Sequence, residues 1–126
     1  MPALRSCVAL IHLLSERMAA IKREDIGVCS IVRAELYFGA YRSSNPKRSI
    51  ATVKGFLDSF QTLPFDDQAA MEYGKLRAAL SSRGTIIGPN DLLIAAIALV
   101  QNAVLVTHNM AEFSRVPRLA VEDWES

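Results

Sequence analysis

Two carboxylates of this 126-residue chain lie in surroundings where a charged side chain is costly. Glu35 belongs to the mainly apolar segment 31–38, where helical spacing places it on an apolar face. Asp91 opens the most apolar helical segment of the chain, directly after the chain-breaking residues 88–90. A buried carboxylate needs a cation, a metal ion or several hydrogen-bond donors. Both positions are therefore candidates for metal-dependent chemistry.

Each of these carboxylates also has a purely structural interpretation. Glu35 could form an ion pair with Arg33 or with another basic residue. Asp91 could cap the amino end of its helix, although Asn90 could do so equally well. The sequence around each residue leaves these alternatives open.

A third polar segment follows an apolar run near the carboxyl end of the chain. Thr107 and Asn109 offer a hydroxyl and an amide, and Glu112 adds a possible third carboxylate. Oxygen ligands of this kind suit Mg²⁺ or Mn²⁺. His108 could bind phosphate or carry protons, but an exposed loop histidine is the simpler interpretation.

The elements that must position these residues alternate between helix and strand. This alternation predicts an α/β fold with a mainly parallel sheet, in which ligands bind beyond the carboxyl ends of the strands. We predict helices at about 6–19, 31–41, 46–60, from 66–67 to a stop at Gly84, 91–102 and 110–113, with strands at about 27–31, 62–65 (an edge strand), 103–107 and 119–121.

Composition limits the class of protein. Fourteen basic and 13 acidic residues give a net charge of +1, which excludes a strongly basic nucleic-acid coat. With 51% hydrophobic and 21% charged residues, the chain is predicted to fold rather than to be disordered. The longest apolar run, 92–100, is too short to cross a membrane. We expect one cytoplasmic domain over residues 1–126, with Cys7 and Cys29 as buried reduced thiols.

Four segments together carry a resemblance to a known family. They are 33–40, 63–66, 87–96 and 105–109 together with 112–113, and the string Asn-Asp-Leu-Leu-Ile-Ala-Ala within 87–96 is fairly specific. In order and spacing the chain resembles, over about residues 6–125, the PIN-domain ribonuclease toxins of VapBC-type toxin–antitoxin pairs.

The resemblance implies a fold, an activity and a set of partners. The expected fold has three layers, with helices on both sides of a mainly parallel sheet. The expected activity is that of an endoribonuclease dependent on Mg²⁺, with Mn²⁺ as a possible substitute. Glu35 and Asp91 match two metal-site acids of the family, and Thr107 and Asn109 match two further site positions. RNA is the implied substrate, and a VapB-like antitoxin and a second copy of the chain are the implied partners, with no membrane.

One departure from the family is found near the amino end. The family begins with a strand that ends in an Asp-Thr-Asn-like motif, whereas here residues 3–5 stand at that place and no acid precedes Glu16. We therefore expect the first strand to be truncated or absent, because of either a misassigned start or degeneration. One competing hypothesis is an inactive PIN-like binding module that retains antitoxin or toxin pairing, with the apolar stripe of helix 46–60 as a candidate contact. Another is a poorly folded remnant without function.

Overall fold

The computed structural model describes residues 6–8 and 25–123. Its strands form one sheet in the order β3-β2-β1-β4-β5, and every neighbouring pair is parallel. The strands are β1 (Ser6–Val8), β2 (Ile26–Cys29), β3 (Gln61–Leu63), β4 (Val104–Val106) and β5 (Val121–Glu122). Because they are parallel, their carboxyl ends lie at one edge of the sheet, as the sequence predicted.

Two of the helices begin at residues whose side chains cap them. Asn45 and Asp66 act as side-chain caps, accepting hydrogen bonds from the amides of Arg48 at 3.3 Å and Ala69 at 2.9 Å. The described helices are α1 (Ser30–Tyr41), α2 (Pro46–Leu57), α3 (Asp67–Ser82), α4 (Pro89–Gln101) and α5 (Met110–Phe113). Five of the six predicted helices thus have counterparts, and α2 ends three residues earlier than predicted.

The helix predicted from residue 6 is wrong for residues 6–8. These residues form β1, which is the central strand, with Cys7 in register with Gly27 on one side and Leu105 on the other. A short apolar run fits a fully buried strand as well as a helix, and periodicity alone does not separate the two. Of the two outcomes expected for the first strand, truncated or absent, absence is wrong, since a three-residue strand occupies the middle of the sheet. The rest of the predicted helix, 9–19, lies outside the described residues.

Helix α4 supplies much of the core. Its residues 94–98 are all buried, as expected for a helix that is apolar nearly all round. The stripe of helix 46–60 also serves the core, because Leu57 is fully buried and Phe60 nearly so. Cys29 is buried, as predicted, whereas the side chain of Cys7 lies outside the described part of the structure. Within the described residues, no helix has the length and hydropathy that a membrane span requires.

Arg33 fastens three parts of the fold together. Its guanidinium donates to the backbone carbonyls of Val28 at 3.2 Å, Leu57 at 3.3 Å and Phe60 at 2.9 Å. These carbonyls belong to β2, to the last turn of α2 and to the loop before β3. The side chain therefore links β2 to the end of α2 and to the loop before β3.

Candidate active site

The two carboxylates singled out from the sequence meet at the carboxyl edge of the sheet. Glu35 lies on α1, which follows β2 directly, and Asp91 lies in the first turn of α4. The amide Nδ2 of Asn90 donates to Oε1 of Glu35 at 3.0 Å, which connects α4 to α1. The structure thus brings together two acids that are far apart along the chain.

A second asparagine joins Asp91 to the third carboxylate. Nδ2 of Asn109 donates to Oδ2 of Asp91 at 3.0 Å and to Oε2 of Glu112 at 2.8 Å. The other oxygen of Glu112, Oε1, accepts a hydrogen bond from the backbone amide of Gly88. The start of α4 and the short helix α5 are therefore held together through polar groups of the site.

Thr107 contributes by shaping the loop that carries Asn109. The Thr107 side chain is buried, and its Oγ1 accepts a hydrogen bond from the backbone amide of Asn109 at 3.1 Å. This bond fixes the turn after β4. Of the four predicted site residues, Thr107 therefore acts within the fold by positioning Asn109, and Asn109 contacts Asp91 directly.

The pKa values of two acids in the cluster are shifted in opposite directions. The pKa of Asp91 is raised, first by burial, then by the neighbouring Glu112 carboxylate, with a smaller contribution from the charge of Glu35, while the Asn109 amide opposes the rise. The pKa of Glu112 is lowered, chiefly by the Gly88 amide and then by the Asn109 amide. Negative charge is thus concentrated around Asp91, which is the environment that a cation would relieve.

Two structural interpretations are wrong: the pairing of Glu35 with Arg33 and the capping role of Asp91. The guanidinium of Arg33 binds backbone carbonyls, and the described partner of Glu35 is the Asn90 amide. The N-cap of α4 is Gly88, and no side chain makes a capping bond there. Neither Asn90 nor Asp91 is therefore engaged as a cap, and both side chains are available to the site.

His108 lies beside the site but turns toward the end of the chain. Its Nδ1 is 3.6 Å from Oδ2 of Asp123, and 68% of its side chain is exposed. This matches the exposed loop histidine that the sequence favoured. His12, the other histidine, lies outside the described residues.

Two contributors to the site were missed from the sequence. Asn90 was considered only as a helix cap, and the backbone amide of Gly88 was not considered at all. Nothing in the sequence pairs Asn90 with Glu35, because that contact exists only once α1 and α4 are packed. Glu112 could be suggested from its type and place, but its contacts with Asn109 and Gly88 could not.

The donor set suits a hard divalent cation, although the carboxylates are not gathered as ligands. The charges of Glu112 and Glu35 both act to raise the pKa of Asp91, and the oxygens of these carboxylates are of the type that Mg²⁺ and Mn²⁺ prefer. Across residues 6–8 and 25–123, no three His, Cys, Asp or Glu side chains form a metal-binding group. The raised pKa of Asp91, which burial and then the neighbouring carboxylates produce, is the observation that fits a cation.

The protein thus has an α/β fold with a parallel sheet, and its candidate site is a group of carboxylates beyond the carboxyl ends of the strands. A family model described as the PIN domain matches residues 9–119. The tRNA(fMet)-specific endonuclease VapC of Salmonella typhimurium is 42% identical over 97 residues, which is 77% of this chain and 74% of the relative. Ribonuclease VapC2 of Rickettsia felis is 40% identical over 104 residues, covering 82% and 78%.

Comparison with solved structures points to the same family. DNA-bound VapBC from Salmonella typhimurium matches with a TM-score of 0.87 and 34% identity, over 97% of this chain and 99% of that one. VapBC-1 from nontypeable Haemophilus influenzae matches with a TM-score of 0.86 and 31% identity, over 98% and 100%. The chain belongs to the PIN-domain family, among the VapC ribonucleases, which confirms the resemblance and the fold class.

Proposed function

We propose that this chain is a metal-dependent endoribonuclease that acts as the toxin of a VapBC-type pair. The observation that carries the proposal is the grouping of Asp91 with Glu35 and Glu112, which two asparagine amides hold at the carboxyl edge of a PIN-domain sheet. The proposal includes a single domain over residues 1–126, a cytoplasmic location and RNA as the substrate.

The proposed metal is Mg²⁺, with Mn²⁺ as a possible substitute, and Asp91 and Glu35 are its proposed ligands. A bound divalent ion would lower the pKa of a water molecule and offset charge that develops on a phosphodiester. The chain's own residues prepare the place for it. Asn90 holds Glu35, Asn109 holds Asp91, and Thr107 fixes the turn from which the Asn109 amide reaches the acids.

The first aspartate of the family motif has no counterpart after β1. The residue that follows Val8 in the sequence is Ala9, and the first acid is Glu16. Metal affinity then depends on Asp91, Glu35 and the nearby Glu112, so we expect a weaker site than one with an additional carboxylate. The alternative of an inactive binding module is less favoured, because mutual repulsion among these acids serves no purpose in a protein that only binds a partner.

The proposed protein partner is a VapB-like antitoxin that inhibits the toxin. Its support is that the matched structures from Salmonella typhimurium and Haemophilus influenzae are described as VapBC assemblies and cover nearly the whole chain. Pairing of two copies of this chain remains a prediction from the resemblance.

Cleavage of RNA with and without Mg²⁺ tests the proposed function. We expect Mg²⁺-dependent cleavage by the wild-type chain and its loss in Asp91→Ala, because that change removes the most crowded carboxylate. Asp58→Ala is the matched control, since Asp58 is an exposed acid at the end of α2. Cleavage that persists in Asp91→Ala, or that is unchanged by a chelator, would contradict the proposal. Antitoxin binding by a wild-type chain that never cleaves RNA would establish the binding-module alternative.

A further inference from the structure

We propose that a cavity beside the acidic site holds a nucleobase of the RNA strand, an inference that rests on the ribonuclease function proposed above. The cavity measures about 560 Å³ and lies between the second half of α3, the loop 84–88 and the start of α4. Tyr73, Arg77 and Ser81 line it from α3, and Ile86 lines it from the loop. Its volume is in the range of cavities that take small ligands, so a nucleobase fits within it.

The cavity adjoins the carboxylates through shared and neighbouring residues. Pro89 lines the cavity and immediately precedes Asn90, whose amide holds Glu35. The loop that forms one wall is anchored at two places from the segment that carries α5. Arg115 donates to the carbonyl of Ile86 at 2.7 Å, and the amide of Gly88 donates to Glu112. An RNA strand lying across the acids would therefore pass a cavity that is already formed.

The walls of the cavity carry the groups on which bases stack. Tyr73 presents a half-buried ring, and the guanidinium carbon of Arg77 lies over it, 5.9 Å from the ring centroid. Arg77 also donates to the Tyr73 hydroxyl at 3.0 Å, which holds the two planes together. Ile86 adds an apolar surface that is 79% exposed. Aromatic rings and guanidinium planes are the platforms on which proteins stack unpaired bases of RNA.

Charge also favours an RNA strand on this side of the site. The acids repel phosphate groups, so the strand needs cationic groups close by. Arg77 and Arg115 supply them at the cavity and at its loop. Two further arginines, Arg33 in α1 and Arg42 at its end, contact other groups: Arg33 binds backbone carbonyls, and Arg42 lies 5.2 Å from the centroid of the Phe38 ring.

Filling the cavity tests the proposal. Ser81 and Ser82 are both exposed at the end of α3, but only Ser81 lines the cavity, since successive helical residues point in different directions. We expect Ser81→Trp to weaken binding of a short fluorescent single-stranded RNA of randomised sequence by about tenfold, the usual effect of losing one stacked base. Ser82→Trp, the matched control, should bind as the wild type does. The measurement is fluorescence anisotropy in chelator, so that no RNA is cleaved.

A second variant tests the cavity independently, in case Ser81→Trp does not fold. Tyr73→Leu removes the ring and should also weaken RNA binding by about tenfold, whereas Tyr73→Phe should keep most of it because stacking needs only the ring. Thermal melting of each variant checks that it is folded. Wild-type RNA binding by folded Ser81→Trp and Tyr73→Leu would overturn the proposal. So would a change in antitoxin affinity or oligomeric state with RNA binding unchanged, because the cavity would then be a protein contact.

Failure of this inference and failure of the proposed function can be told apart. Asp91→Ala should lose cleavage and keep RNA binding, because the cavity is intact. If Asp91→Ala cleaves RNA like the wild type, the proposed catalytic site is wrong, and the binding assay still decides on the cavity. If Asp91→Ala is inactive while both cavity variants bind RNA normally, the site stands and the nucleobase cavity does not.

Discussion

At the scale of single residues, the site combines carboxylates that disfavour one another with amides that restrain them. Asp91 is partly buried next to Glu112, and its pKa is raised for both reasons. Asn109 donates to both acids from one nitrogen, which offsets part of their repulsion. A residue kept in an unfavourable electrostatic environment is typical of functional sites, where stability is given up for activity.

Replacing Asp91 by asparagine should therefore stabilise the fold while removing activity. A group whose folded pKa is raised stabilises the protein below its unfolded pKa, and that contribution is lost as the pH rises through the folded value. The charged Asp91 carboxylate therefore lowers the stability of the folded protein at neutral pH, and this destabilisation disappears when acidification protonates the group. We expect Asp91→Asn to melt at a higher temperature than the wild type at pH 7, with the difference shrinking as the pH falls toward about 4.

Thermal melts of both proteins over that pH range make the measurement, in chelator so that bound metal does not contribute. Asp58→Asn is the control and should show no such pH-dependent difference, because Asp58 is exposed. A melting temperature of Asp91→Asn that is lower than that of the wild type at pH 7 would show that Asp91 is a stabilising residue and not a strained one.

At the scale of elements, close packing of neighbouring strands sets the geometry of the sheet edge. β2 leads into α1 and so determines where Glu35 lies, and its partner β3 is packed tightly against it. Gly27 allows this approach, because a Cβ atom at that position would lie 2.6 Å from Cγ of Leu63. Leu63 is only 1% exposed and so has little room to move.

Gly27→Ala should accordingly destabilise the protein, by about 1–3 kcal/mol as expected for overpacking. Gly39→Ala is the matched control, because a Cβ at Gly39 meets nothing within 4 Å and Gly39 lies inside α1. There alanine should stabilise by about 0.5–1 kcal/mol, since glycine is unfavourable within a helix. Urea unfolding of both variants measures the two free energies, and equal effects at the two positions would contradict the packing argument.

At the scale of the whole molecule, the central strand joins the two halves of the site. β1 pairs with β2, which leads to Glu35, and with β4, which leads to Thr107 and Asn109. The strand is three residues long and is hydrogen-bonded on both sides. Acids from opposite halves of the sheet can therefore meet only while β1 holds those halves in register.

A proline in β1 should prevent this assembly. Cys7→Pro removes a backbone N–H from a central strand, where proline is essentially never found, and leaves neighbouring groups unpaired. We expect loss of cooperative thermal unfolding by circular dichroism, together with loss of RNA cleavage. A cooperative melt close to that of the wild type would mean that β1 does not hold the sheet together.

Most elements after residue 25 could be predicted from the sequence, because their signals are local. The buried character of α4, the capped start of α3 at Asp66 and the short helix α5 all follow from neighbouring residues. The central strand could not be recognised, since residues 6–8 are too few to show whether they belong to a helix or a strand.

The sequence by itself determined the family, the alternation of helix and strand, and the acids Glu35 and Asp91 as candidates for the site. Only the tertiary structure decided what those acids contact. Arg33 donates hydrogen bonds to backbone carbonyls and not to Glu35, and Glu35 accepts one from Asn90. Asn109 donates to both Asp91 and Glu112 and so connects these two acids. The physical reason is that local patterns report the energetics of neighbours along the chain, whereas these contacts arise only when distant helices are packed on the same sheet edge.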